Sequence, residues 1–201
     1  MKRIIQLVLL VVIVVLAYIL TTSIMTPITF TREYNKRKAV VVEKLKDIRT
    51  IQVAYKTDKG YFAGSFDSLI DFYNNGKIRV VRQIGSMDDS LAVAEGRVRR
   101  DTISIPVKDT IFNHRENFNI SQIGTVPWAN VPFKLDTVTY VTPSKILVPL
   151  FAASVRNEIF LAGLDVQEIV NLNDKQEKMD RFPGLKVGDV NQPNNNAGNW
   201  E

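Results

Sequence analysis

Residues 4–25 read IIQLVLLVVIVVLAYILTTSIM, and this run decides how the rest of the chain is organised. Between residues 4 and 20 the single polar side chain is Gln6. Coiled as a helix, at about 1.5 Å per residue, the run covers the roughly 30 Å hydrocarbon core of a bilayer. A cleaved signal peptide is the competing interpretation, with Lys2 and Arg3 as its basic start. The run is longer than the usual ~7–15 residues of such a peptide and ends on Thr21, Thr22 and Ser23 without an A-x-A-like site, so a retained transmembrane anchor over residues 1–25 is expected.

Pro27 should interrupt the anchor helix and hold Thr26 extended, which makes residues 26–30 a hinge at the membrane surface. A second helix should start at Thr31, a fair N-cap with Glu33 in its first turn, and run to about Thr57 before Gly60. Val41, Leu45, Ile48, Gln52 and Tyr55 recur at helical spacing, and Val42, Ile51 and Ala54 widen the stripe into a core-facing surface.

Beyond that helix, Ser65 caps a short one through about Asn74, stopped by Asn74-Asn75-Gly76. The apolar period then changes to two. Lys77–Ile84, Ile103–Val107, Lys134–Val141, Lys145–Phe151 and Arg156–Leu161 read as strands, with a hairpin turn at Pro143-Ser144. Asp165 with Glu168 opens a helix to about Met179, Leu185–Val190 adds an edge strand, and Gln192–Glu201 is an irregular tail. The expected class is α+β: a transmembrane anchor over 1–25, a hinge over 26–30, an α+β domain over 31–191 with a long amphipathic helix packed on an antiparallel sheet, and a tail over 192–201.

The net charge of +5 is local. Lys2 and Arg3 supply two charges. Residues 31–60 carry Arg32, Lys36, Arg37, Lys38, Lys44, Lys46, Arg49, Lys56 and Lys59 against Glu33, Glu43, Asp47 and Asp58. Basic charge beside a membrane segment suits anionic lipid headgroups, at about 1 kcal/mol per residue, better than a nucleic acid. Counted alone, Arg32, Lys36, Arg37 and Lys38 against Lys2 and Arg3 would hold the large domain in the cytoplasm; the short N-terminal tail, easily left behind during translocation, argues for the opposite side.

Catalytic groups are scarce. There is no cysteine, which excludes disulfides, thiolate metal sites and thiol catalysis. The one histidine, His114, lies in a polar loop, and no G-x-S-x-G precedes a serine. Asp67/Asp71 and Asp88-Asp89 are the tight carboxylate pairs; the first pair sits at i, i+4 on the short helix, where a solvated face is the default. Gly60, Gly64 and Gly76 have no phosphate-loop partners. Arg97, Arg99 and Arg100 around Gly96 read as a loop face. Trp128, between Pro127 and Pro132, is expected to plug the core, or, if exposed, to anchor a partner; Trp200 docks onto the domain or onto a neighbour. No catalytic, cofactor-binding or metal residue is assigned.

The stretch Lys44–Ile70, KLKDIRTIQVAYKTDKGYFAGSFDSLI, resembles the head of a type IV pilin or type II secretion pseudopilin. Val53-Ala54-Tyr55 followed by Gly60-Tyr61 corresponds to that family's amphipathic-helix ending and glycine-aromatic turn. Pilins carry a cleaved leader followed by Phe and Glu, whereas here residues 1–20 hold no Gly, Phe or Glu. The resemblance therefore implies a pilin-like domain on an uncleaved anchor, facing outward. The whole chain, including its ending NNNAGNWE, also resembles a family of inner-membrane-anchored proteins of Bacteroidetes-type bacteria, which implies no activity.

Together these readings lead to an expectation of a non-enzymatic envelope protein of the bacterial inner membrane. It would be single-pass with its C-terminal domain periplasmic, and a structural or scaffolding subunit of a secretion, motility or surface-assembly machine. Its partners would be the membrane, other envelope proteins and further copies of itself, with no nucleic acid and no cofactor. The alternative is a membrane-tethered sensor domain, periplasmic or cytoplasmic, that binds a ligand or peptide between sheet and helix.

Overall fold

The computed structural model describes residues 2–84, 99–115 and 118–201. Helix α1 runs unbroken from Lys2 to Lys59, 58 residues, with Pro27 inside it. The break expected at 26–30 and the fresh start at Thr31 are therefore not found. Proline removes the backbone bond that residue 27 would make to the Ser23 carbonyl, yet the helix continues through it, with threonine hydroxyls bonded to nearby carbonyls. Thr26 donates to the carbonyl of Thr22 at 2.8 Å, Thr29 to that of Met25 at 3.0 Å, and Thr31 to that of Pro27 itself at 2.7 Å. At the far end Gly60, with φ +86°, stops the helix and its N–H donates to the carbonyl of Lys56.

The chain forms two compact units. The first comprises Met1–Val42, Val126–Asn130 and Val155–Leu185. It contains the N-terminal part of α1, and also a helical turn and a helix that are numbered α4 (Asn157–Phe160) and α5 (Val166–Glu177) in chain order. Asp165 caps α5 as expected, accepting the Glu168 N–H at 3.0 Å. The expected strand over Arg156–Leu161 is instead α4. Asn157 is buried, its N–H donates to the carbonyl of Pro183, and its side-chain amide donates to Asn173 and Gln176 of α5. These pairings are distant in sequence and outweigh the local apolar pattern.

The second unit comprises Glu43–Thr125, Val131–Ser154 and Lys186–Glu201. After α1 come α2 (Phe66–Asn75), β1 (Lys77–Ile84), β2 (Arg99–Pro106) and the turn α3 (Val107–Thr110). Ser65 caps α2 by accepting the Ser68 N–H. β1 and β2 form an antiparallel pair from Lys77↔Pro106 to Ile84↔Arg99. A single turn of 3-10 helix at Ile120–Gln122 follows.

The remaining strands, β3 (Lys134–Val141), β4 (Leu147–Arg156) and β5 (Gly184–Gly188), make a second sheet in the order β3-β4-β5. β3 and β4 are antiparallel, Lys134↔Ser154 to Val141↔Leu147. Their turn is the expected one: Lys145 N–H donates to the Thr142 carbonyl, with Lys145 at φ 60°. β4 passes through Pro149, which is tolerated because β5 does not extend that far; Gly188, the last residue of β5, already lies against the Phe151 carbonyl. The fold class is α+β, as the periodicity implies.

In the second unit Leu45, Ile48 and Ile51 of α1 are fully buried, as are Leu69, Phe151 and Val187. Phe62 packs on Phe151 with ring centres 4.7 Å apart. The polar member of the helical stripe, Gln52, is buried and clamps the chain after Gly60: its amide nitrogen donates to the Ala63 carbonyl and its oxygen accepts the Ala63 N–H, both at 2.9 Å. A glutamine there replaces the backbone partner that Ala63 lacks.

Candidate functional site

Three surfaces stand out. The first is the apolar run itself. Its large side chains from Ile4 to Met25 are 46–69% exposed, on every face of the helix, and no other described segment is long and apolar enough to cross a membrane. A helix apolar all round is stable only in an apolar surrounding or against partner helices.

The second is an aromatic and basic collar in the first unit, close beyond the run. Phe30 is already buried, about 8 Å of helix past Met25. It stacks on Tyr34, which lies against Phe160. Arg37 donates to the carbonyls of Phe160 and Ala162 at 3.1 and 2.9 Å, the free carbonyls at the end of α4, and its guanidinium sits 5.2 Å from the centre of the Trp128 ring. Trp128 is 49% exposed, with φ 66°, so it is not the expected core plug. Arg32 and Lys36 remain exposed.

Other basic residues of α1 serve the fold. Lys44 donates to the Gln122 carbonyl, Lys56 lies over Phe62, and Arg49 binds Glu201 at 2.7 Å. Asp47, 6% exposed, pairs with Arg115 at 2.8 Å. Burial pushes its carboxyl above the ordinary range, and the Arg115 bond only partly offsets this.

The third surface is the β3–β4 hairpin of the second unit. Val138, Val141, Ile146 and Leu147 are exposed, with Leu147 at 66%, and a cavity of about 270 Å³ lies beside them between Tyr61, Phe62 and residues 137–139. The two edges of the sheet differ. β5 is covered by the tail: Gly198 bridges Val187, Gly188 N–H donates to the Ala197 carbonyl, and Asn199 N–H donates to that of Lys186. The tail is irregular in backbone, as expected, yet tied down. Along β3 no described residue supplies such a cover.

The residues singled out for chemistry are scattered. His114 is exposed in a turn, and Asp71 accepts the Asn75 side-chain amide. Among the described residues no three His, Cys, Asp or Glu side chains converge as metal ligands would. Asp88, Asp89, Gly96 and Arg97 lie outside the described residues; Arg99 and Arg100 open β2. Trp200 folds back on its own turn, where its ring lies against Gly198. The polar roles of Gln52 and Arg37 escaped sequence reasoning, since neither residue type announces a backbone partner. The bare hairpin had a signal in TVTYV and KIL on either side of the turn.

No protein-family model, curated protein or solved structure matches the chain.

Proposed function

We propose that the chain is a non-enzymatic, single-pass protein of a bacterial inner membrane. Residues 4–25 lie in the bilayer, and the α+β part stands on the periplasmic side as a pilin-like scaffolding subunit of a secretion, motility or surface-assembly machine. The observation that carries this reading is the single helix α1: an all-round exposed apolar run passes without interruption into residues buried from Phe30 onward. Such a junction fixes a folded part against a membrane instead of leaving it on a slack tether. The exposed Arg32 and Lys36 suit lipid headgroups at the junction.

Non-enzymatic action is part of the proposal, supported by one exposed histidine and the absence of cysteine. A small-molecule sensor has less in its favour, since the groove beside β3, about 270 Å³, is open and falls below the size usual for enclosed ligand sites.

The test is in-cell crosslinking with mass spectrometry on the full-length tagged protein, with protease accessibility in spheroplasts as the control for sidedness. Specific crosslinks to membrane-machine subunits from an accessible domain are expected. A protected domain without protein crosslinks would overturn both scaffold and orientation.

A further inference from the structure

We propose that β3 is a self-pairing edge, on which a second copy of this chain adds its own β3 antiparallel, so that two sheets become one across a two-fold axis at Val138. An uncovered strand offers a row of free N–H and C=O groups, and proteins guard such strands with charge, proline, bulges or a covering segment. β5 has its cover in the tail. β3, eight residues long, pairs with β4 in an uninterrupted register, contains no proline, and runs from Thr137 to Val141 as TVTYV without a charge. Val138 is 42% exposed.

The sequence of β3 points to a copy of itself as occupant. A two-fold axis normal to the sheet must pass through a residue that faces itself. Centred on Val138, the pairs are Val138↔Val138, Thr137↔Thr139, Asp136↔Tyr140 and Leu135↔Val141. β-branched residues meet each other, a carboxylate meets a phenol, and no like charges are opposed. Centred on Asp136, two carboxylates collide; centred on Thr137, Asp136 faces Val138. One strand pair is a small interface. Membrane tethering, for which this inference rests on the proposed function, supplies the local concentration that makes a small interface sufficient.

The absence of native cysteine makes the test direct. Full-length Val138→Cys, oxidised in native membranes, should form a disulfide-linked dimer at least about tenfold more than Val166→Cys, because facing strand residues sit within disulfide reach. Val166 is the more exposed position, 74% against 42% for Val138, but lies on α5. Adding Thr139→Lys to Val138→Cys should abolish the dimer while the melting temperature stays unchanged. Equal crosslinking at 138 and 166, or a dimer that survives the lysine, overturns the inference. Flotation of the same membranes on a density gradient reads the tether separately: chains that float but do not crosslink at 138 sink only the pairing, whereas chains that fail to float sink the membrane reading.

Discussion

Along α1, residues 4–25 and residues 41–51 draw on the same apolar alphabet of Val, Ile and Leu, and they come to opposite ends. In the first stretch the side chains are exposed all round the helix; in the second Val41, Leu45, Ile48 and Ile51 are fully buried on one face. The difference lies in what alternates with them. Glu43, Lys46 and Thr50 give the second stretch an exposed polar side, and Lys44, Asp47 and Arg49 find specific partners, so it can sit between water and a core. The first has no polar side, and only lipid or other apolar helices can solvate it. One continuous backbone thus joins an all-round apolar run to an amphipathic stretch, and on the proposed reading the junction between them is where the protein would meet the membrane.

The largest effect is expected at the apolar run itself. Val11→Arg with Val14→Arg should cost about 6 kcal/mol of insertion free energy and move the chain out of the alkali-resistant membrane fraction. Next, Ile48→Ala should lower folding stability by about 3 kcal/mol in urea titrations of the detergent-solubilised chain, through lost burial and the cavity left behind, whereas Ile13→Ala should leave the midpoint where it was. Gln52→Leu should cost about 2 kcal/mol by leaving the Ala63 N–H and carbonyl buried without partners, with amide exchange accelerating at residues 61–64.

A smaller effect is expected from Asp47. Its carboxyl is held above the ordinary range, so just above that range the folded protein keeps a proton that the unfolded chain has lost. Stability therefore falls as pH rises between the unfolded and folded values, and Asp47→Asn should flatten that slope in pH-dependent melts. The smallest effect belongs to Pro27→Ala. In a helix already unbroken, the alanine restores one backbone bond and should leave both membrane attachment and the melting temperature unchanged.

Much of this architecture could be read from residue patterns, and the exceptions share a cause. β1 and β3 have the expected boundaries, Lys77–Ile84 and Lys134–Val141, because alternation and turn residues are local signals. Ser65 and Asp165 cap their helices for the same reason. Pro27 misled because the rule that proline ends a helix is a tendency: the loss of one backbone bond does not stop a helix that runs on to Lys59. The strand expected at Arg156–Leu161 failed because the contacts that coil it come from Gln176 and Pro183, and from Arg37 more than a hundred residues away. Val107 turns into α3 where a strand ending was expected, its N–H held by the Gly76 carbonyl. Trp128 looked like a core residue by type, but its left-handed backbone and its seat on Arg37 are properties of the folded loop.

The most direct test of the account is a distance across Pro27. With no native cysteine, spin labels at Leu20→Cys and Asn35→Cys in the full-length protein, reconstituted in lipid nanodiscs, report one pair. An unbroken helix places the two backbone sites about 22 Å apart, and a single narrow distribution near that value is the predicted result. A broad distribution, or a distinctly shorter distance, would mean that the helix breaks at the membrane surface and that the folded part hangs on a hinge.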